Sequence, residues 1–171
     1  MTQPELAAYV QSYLEEKGIH VILSGGAAVS VYTNRRYVTG DIDFVNVRFA
    51  DRARIKRIIE EIGFKEVGRH FEHPDTEWFL EFPPGPLALG GKPIKDIESL
   101  KYPTGILRLI SPTECVKDRL AHYIYWDDLQ CLDQAFMVIE EHEVEIEEIL
   151  SWAKKEDGEN YEKIKIRLEE N

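Results

Sequence analysis

Apolar residues recur at Leu6, Val10 and Leu14, and this spacing of four draws one stripe along a helix face, widened by Ala7 and Tyr13. Thr2 ahead of Pro4 and Glu5 marks the start of that helix and Gly18 its end. The pattern then turns continuous over Ile19-His20-Val21-Ile22-Leu23, which predicts a short buried strand. Ser24-Gly25-Gly26 breaks it, and Ala27 to Tyr32 reads as helix. A second strand is expected over Asp41 to Val47 after the loop approach Tyr37-Val38-Thr39-Gly40. Asp51 to Ile62 is an amphipathic helix, with Ile55, Ile58, Ile59 and Ile62 inward, Arg52, Arg54, Lys56 and Arg57 outward, and Gly63 as its cap. Phe64 to Phe71 and Glu77 to Phe82 read as two strands turned by His73-Pro74-Asp75. Residues 87–102 give mixed signals and no assigned element, and Ile106 to Ile110 predicts a last short strand.

The pattern changes at Ser111. Ser111-Pro112-Thr113-Glu114 has the form of a capping box with proline at the first helical position. From there the periodicity predicts only helices, over 112–125, 128–141, 143–155 and 159–169. The expectation is an α+β (α/β) core over 1–110 followed by a helical region over 111–171, packed on the core because no Gly/Ser linker separates them.

Composition changes this picture little. The chain has 171 residues, 43% hydrophobic and 31% charged, which excludes wholesale disorder, collagen-like sequence and a disulfide scaffold. Its net charge of −11 disfavours a nucleic-acid binder over its whole surface. The acidity is concentrated in residues 140–171, a solvated helix face or a surface for a protein partner, whereas 35–57 is locally basic. Cys115 and Cys131 match no metal or redox motif and are expected to be half-buried thiols in a reducing compartment. No signal peptide and no apolar run of membrane-spanning length is visible, so a cytoplasmic protein with no membrane partner is expected.

Candidate chemistry lies in three features in chain order. Gly25-Gly26 at a strand-to-helix junction lets backbone approach a ligand, and the first helix amides would face an anion such as a triphosphate, with Ser24 and Ser30 as nearby hydroxyls. Asp41 and Asp43, two apart on a strand, leave the same face and repel unless a cation such as magnesium neutralises them. Glu81 is the candidate third carboxylate of a two-metal site, with Glu77 in reserve. Singly these signals are weak, since an Asp-x-Asp is most often a solvated strand face or a capping pair. Arg35 and Arg36, between the glycines and the aspartates, are either a solvated loop or contacts to a triphosphate or RNA acceptor. His70 and His73 read as surface histidines rather than a metal pair. Tyr123, Tyr125, Trp126, Phe136 and Trp152 read as core rather than a base-stacking surface. Leu87-Ala88-Leu89-Gly90-Gly91-Lys92 lacks the spacing and hydroxyl of a phosphate-binding loop.

Ser24-Gly25-Gly26, fourteen residues, then Asp41-Ile42-Asp43-Phe44 resembles the signature of the DNA polymerase β-like nucleotidyltransferase superfamily. With Thr39-Gly40 ahead of the aspartates, it is most similar to bacterial minimal nucleotidyltransferases, which include abortive-infection type toxins of toxin–antitoxin systems. The resemblance implies a mixed sheet with flanking helices. It also implies Mg2+- or Mn2+-dependent transfer of a nucleoside monophosphate from a nucleoside triphosphate to a hydroxyl of tRNA, a protein or a small molecule. Asp41, Asp43 and Glu81 would hold the metals, with Glu81 nearest the attacking hydroxyl. Ser24, Gly25 and Gly26 would hold the β- and γ-phosphates. The family's third carboxylate is usually aspartate, and here it is glutamate. Val116-Lys117-Asp118-Arg119-Leu120, followed by Trp126-Asp127-Asp128, is similar to the family's helix with a nucleotide-facing lysine. Lys117 then either faces a phosphate or is an exposed lysine paired with Glu114 or Asp118. The alternative function is a catalytically idle protein of this fold that binds a nucleotide or a protein partner.

Overall fold

The computed structural model describes residues 1–85, 87–89, 92–94 and 96–170. Thr2 and Glu5 close a reciprocal capping box that starts α1 (Gln3–Glu16), whose apolar stripe buries Leu6, Val10 and Leu14. β1 (Val21–Ser24) runs into α2 (Gly25–Tyr32), which is followed by β2 (Asp41–Asn46). Asp51 caps α3 (Arg52–Glu61), and Ile55, Ile58 and Ile59 form its buried side. The single strand expected over 64–71 is a hairpin instead. Gly68 takes a left-handed φ of +64° and splits it into β3 (Lys65–Val67) and β4 (His70–Glu72).

β5 (Phe79–Glu81) follows, then a small pair, β6 (Ala88–Leu89) with β7 (Lys92–Pro93). Gly90 and Gly91 of the glycine-containing stretch lie outside the described residues. The 87–102 stretch, ambiguous in sequence, also holds β8 (Ile97–Tyr102), which pairs antiparallel with β9 (Gly105–Ile110). Its outward residues Glu98, Ser99 and Lys101 dilute the alternation that normally announces a strand.

The helical half holds α4 (Pro112–Trp126), α5 (Leu129–Glu141), α6 (Ile146–Glu156) and α7 (Gly158–Glu170). Ser111 caps α4 through the Glu114 amide, but the box is half-formed because the Glu114 carboxylate turns to Lys117. Seven strands make one mixed sheet in the order β3-β4-β5-β2-β1-β9-β8, parallel at β2/β5 and β1/β9. α2 packs on α4 and α5. Tyr32 at its end donates to the Ile110 carbonyl at 2.7 Å, and its own carbonyl lies 2.6 Å from the His142 ring. Among the described residues, no helix is long and apolar enough to cross a membrane.

Candidate active site

β1 ends at Ser24 and the chain turns directly into α2. Gly25 has a φ of +66°, and a Cβ there would lie 2.5 Å from a carboxylate oxygen of Asp43. Glycine therefore satisfies two demands at once, the left-handed backbone and the close approach of the carboxylate. A Cβ on Gly26 would come within 3.1 Å of the Tyr37 ring. The Ser24 side chain does not cap α2, so it leaves the first helix amides uncovered by a hydroxyl, in the place where an anion is stabilised.

Strand register assembles the remaining groups. Ser24 pairs with Asp43, Asp43 with Glu81, and Glu81 with His70. Residues paired across a sheet leave the same face, so these four side chains form a row over β1, β2, β5 and β4, about 14 Å long at ~4.8 Å per strand. Asp41, two residues before Asp43, stands on that face as well. Ile42, Phe44, Leu80 and Phe71 leave the opposite face and are fully buried. The core thus fixes the register that places the carboxylates.

Burial pushes the Asp43 carboxyl up to about 7, and the neighbouring Glu81 and Asp41 carboxylates add to the rise. The Arg119 guanidinium pulls the other way, and Asp118 adds a smaller upward push. Arg119 is buried on α4. Burial works against its charge, but the Asp118 carboxylate, 2.5 Å from Nη2 and 3.0 Å from Nε, keeps it charged. Its Nη1 also donates to Gln134 at 3.4 Å and lies 3.5 Å from the Cys131 Sγ.

Among the described residues, no three or more histidine, cysteine, aspartate or glutamate side chains, Asp41, Asp43 and Glu81 included, stand close enough together to hold a metal ion as they are placed. Asp41, Asp43 and Glu81 are instead an open set of oxygen donors whose repulsion already weighs on Asp43.

The structure brings Ser24, Gly25, Gly26, Asp41, Asp43 and Glu81 together and leaves other candidates apart. Glu77 lies exposed in the bend before β5. Ser30 is buried within α2. Arg35 is exposed, and Arg36 is held by Glu140 at 2.9 Å and Glu141 at 2.8 Å. Lys117 is neither exposed nor the cation that acts on Asp43. It is buried between Glu114 at 3.1 Å and Glu148 at 2.5 Å. Arg119, two residues on and so across the helix, is the cation near Asp43. Sequence reasoning passed over it because the distant partner Glu148 is invisible at helical spacing. His70 was missed as a member of the row because only strand register brings it beside Glu81.

His70 and His73 are half-buried rather than open surface groups. His70 is 2.8 Å from Glu72, and His73 packs on Phe64 with ring centroids 5.0 Å apart. Both thiols are buried rather than half-buried, Cys115 completely. Tyr123, Phe136 and Trp152 are core residues, whereas Tyr125 and Trp126 are exposed.

Comparison with solved structures places this architecture. A nucleotidyltransferase-like protein from Paracoccidioides brasiliensis matches with a TM-score of 0.58 at 16% identity, over 81% of this chain and 76% of that one. The fold is that of a nucleotidyltransferase. The lincosamide antibiotic adenylyltransferase LnuA, bound to lincomycin, has the same nucleotidyltransferase fold, with a TM-score of 0.56 at 19% identity over 83% of this chain and 99% of its own. ANT(2")-Ia, in complex with adenylyl-2"-tobramycin, matches with a TM-score of 0.53 at 15% identity, over 99% and 98%. No protein-family model matches the chain, and no curated protein matches it by sequence.

Proposed function

We propose that this protein is a nucleotidyltransferase that moves a nucleoside monophosphate from a nucleoside triphosphate to an acceptor hydroxyl. The row Ser24–Asp43–Glu81, with Gly25 closed against Asp43, is the observation that carries this reading. The uncovered amides of α2 and the Ser24 hydroxyl bind the β- and γ-phosphates at one end of the row. Arg119 offsets negative charge beside Asp43. Glu81, at the other side of Asp43, accepts the acceptor's proton. The hydroxyl oxygen then forms its bond to the α-phosphorus as the bond to the β-phosphate oxygen breaks, and pyrophosphate leaves. Asp41, Asp43 and Glu81 would hold Mg2+ or Mn2+, which neutralises phosphate charge when bound. Catalysis is then chiefly positioning and charge stabilisation.

Thermal-shift titration with each nucleoside triphosphate, with and without Mg2+, tests this. Saturation at a hundred times the Kd should stabilise the protein by about 2.7 kcal/mol. A Mg2+-dependent shift abolished in Asp41→Asn/Asp43→Asn is the expected result, each protein being referred to its own ligand-free Tm. No shift with any triphosphate would overturn the reading.

A further inference from the structure

Residues 33–40 carry the chain from the end of α2 to the aspartates by an unfavourable path. Asn34 and Arg35 take left-handed φ values of +48° and +67° in succession. One such residue is common where a helix ends. Two in a row without glycine are not, and arginine lacks the short polar side chain that eases this conformation in asparagine. The path is held from several sides. The Arg35 amide donates to the Ser30 carbonyl at 2.9 Å, and the Arg36 amide to the Thr33 carbonyl at 3.1 Å. The buried Thr33 hydroxyl donates to the Val29 carbonyl at 2.8 Å and accepts from the Tyr37 amide at 3.4 Å. Arg36 is tied to Glu140 and Glu141 at the end of α5. Strain enforced in this way marks a side chain whose position matters.

That side chain is Tyr37. Its half-buried ring packs on the core and lies against Gly26, 3.1 Å from the point where a Cβ would stand, with the phenol oxygen 3.4 Å from the same point. Thr39 stands 3.5 Å from it. Gly26 has no left-handed φ to justify a glycine, so it is the approach of Tyr37 that its missing side chain permits. The two glycines divide the turn between them, Gly25 admitting Asp43 and Gly26 admitting Tyr37. Among the described residues the Tyr37 hydroxyl has no hydrogen-bond partner, unlike that of Tyr32 at the other end of α2, which is held by the Ile110 carbonyl.

We infer that Tyr37 is a phosphate-binding residue of the nucleotide site, its hydroxyl donating to the pyrophosphate portion of the triphosphate that the α2 amides receive. This rests on the transferase reading above and adds a residue to it. A neutral phenol brings a donor close to Asp41 and Asp43 without forming an ion pair with either, and its hydrogen bond to a phosphate oxygen is charge-assisted. The same bond is available to the departing pyrophosphate.

Calorimetric titration of the full chain with Mg2+ tests this, using inorganic pyrophosphate, the nucleoside triphosphate that gives the wild type its largest thermal shift, and the matching monophosphate. Tyr37→Phe keeps the ring and removes only the hydroxyl. It should weaken triphosphate and pyrophosphate by a similar factor, about tenfold. Monophosphate affinity and the ligand-free Tm should be unchanged. Equal triphosphate affinity in wild type and Tyr37→Phe overturns the assignment, and so does a loss as large for the monophosphate as for the triphosphate. Tyr37→Ala separates ring from hydroxyl. Weakening in Tyr37→Ala with Tyr37→Phe equal to wild type would make the ring a stacking surface and overturn the phosphate role. A wild type that binds none of the three probes overturns the transferase reading together with this one, whereas triphosphate binding that Tyr37→Phe leaves intact overturns this one alone.

Discussion

Burial and two neighbouring carboxylates act together on Asp43, and this gives the residue a stability signature. Its carboxyl stands at about 7 in the folded protein against an ordinary 3.8. Between those values the folded state keeps a proton that the unfolded chain has lost, so stability falls as pH rises through the window. The full penalty, on the order of 4 kcal/mol, is present above about pH 7 and absent below about pH 4. Asp43→Asn is therefore expected to raise the Tm of the metal-free protein at pH 8, with the gain shrinking toward pH 5 in calorimetric scans. An unchanged Tm at pH 8 would mean that Asp43 is not held against its own charge. Gly25 poses the opposite constraint. Gly25→Ala has to hold a left-handed backbone and displace the Asp43 carboxylate, so it should cost about 1–2 kcal/mol and remove the triphosphate-induced shift. Gly26→Ala meets side chains alone, the Tyr37 ring and Thr39, and has no left-handed backbone to hold, so it should be the milder change in both measurements.

The fourth helix shows how one element divides its charges between structure and site. Lys117 joins it to α6 through Glu148 and neutralises Glu114. Arg119, across the helix, belongs to the carboxylate row. Lys117→Met should lower stability by about 2–3 kcal/mol by stranding a buried Glu114, with Glu114→Gln added to it recovering part of the loss, and triphosphate affinity should not change. Arg119→Ala should lose the triphosphate shift. Urea titration and thermal shift on the two variants check both expectations. The same helix marks the border of what could be read from sequence. Asp41 and Asp43 were legible because a period of two puts them on one face whatever surrounds them. Glu81 was legible as a strand carboxylate, but its place beside Asp43 depends on a parallel pairing across α3 and a hairpin. The choice between Lys117 and Arg119 depended on Glu148, thirty-one residues further along the chain. The β3–β4 turn was written in Gly68, yet one glycine within a strand pattern also fits a bulge. β8 was hidden because its apolar residues, Ile97, Leu100 and Tyr102, are not spaced in strict alternation, Glu98 and Ser99 standing together between the first two.

Across the whole molecule the charges are sorted rather than mixed. The acidic helical half is anchored to the sheet half in part by Arg36, which takes Glu140 and Glu141 at the end of α5. These groups are exposed, so Arg36→Ala should change stability by less than about 1 kcal/mol. It should nevertheless speed amide hydrogen exchange in the loop over 34–40, which joins the glycine turn to the aspartates, and unchanged exchange there would count against the anchoring role. Exposed Tyr125, Trp126 and Leu129 cluster at the corner between α4 and α5, away from the buried aromatic core. The four-residue row has one further consequence. It takes a single residue from each of four adjacent strands, so it is a cross-section of the sheet rather than a property of any segment. A slip of one position in β2 would turn Asp41 and Asp43 into the core and bring Ile42 and Phe44 to the opposite face. Misaligned chains thus cannot present a partial version of this chemistry, and competence of the site doubles as a proofreading signal for the alignment of the sheet itself.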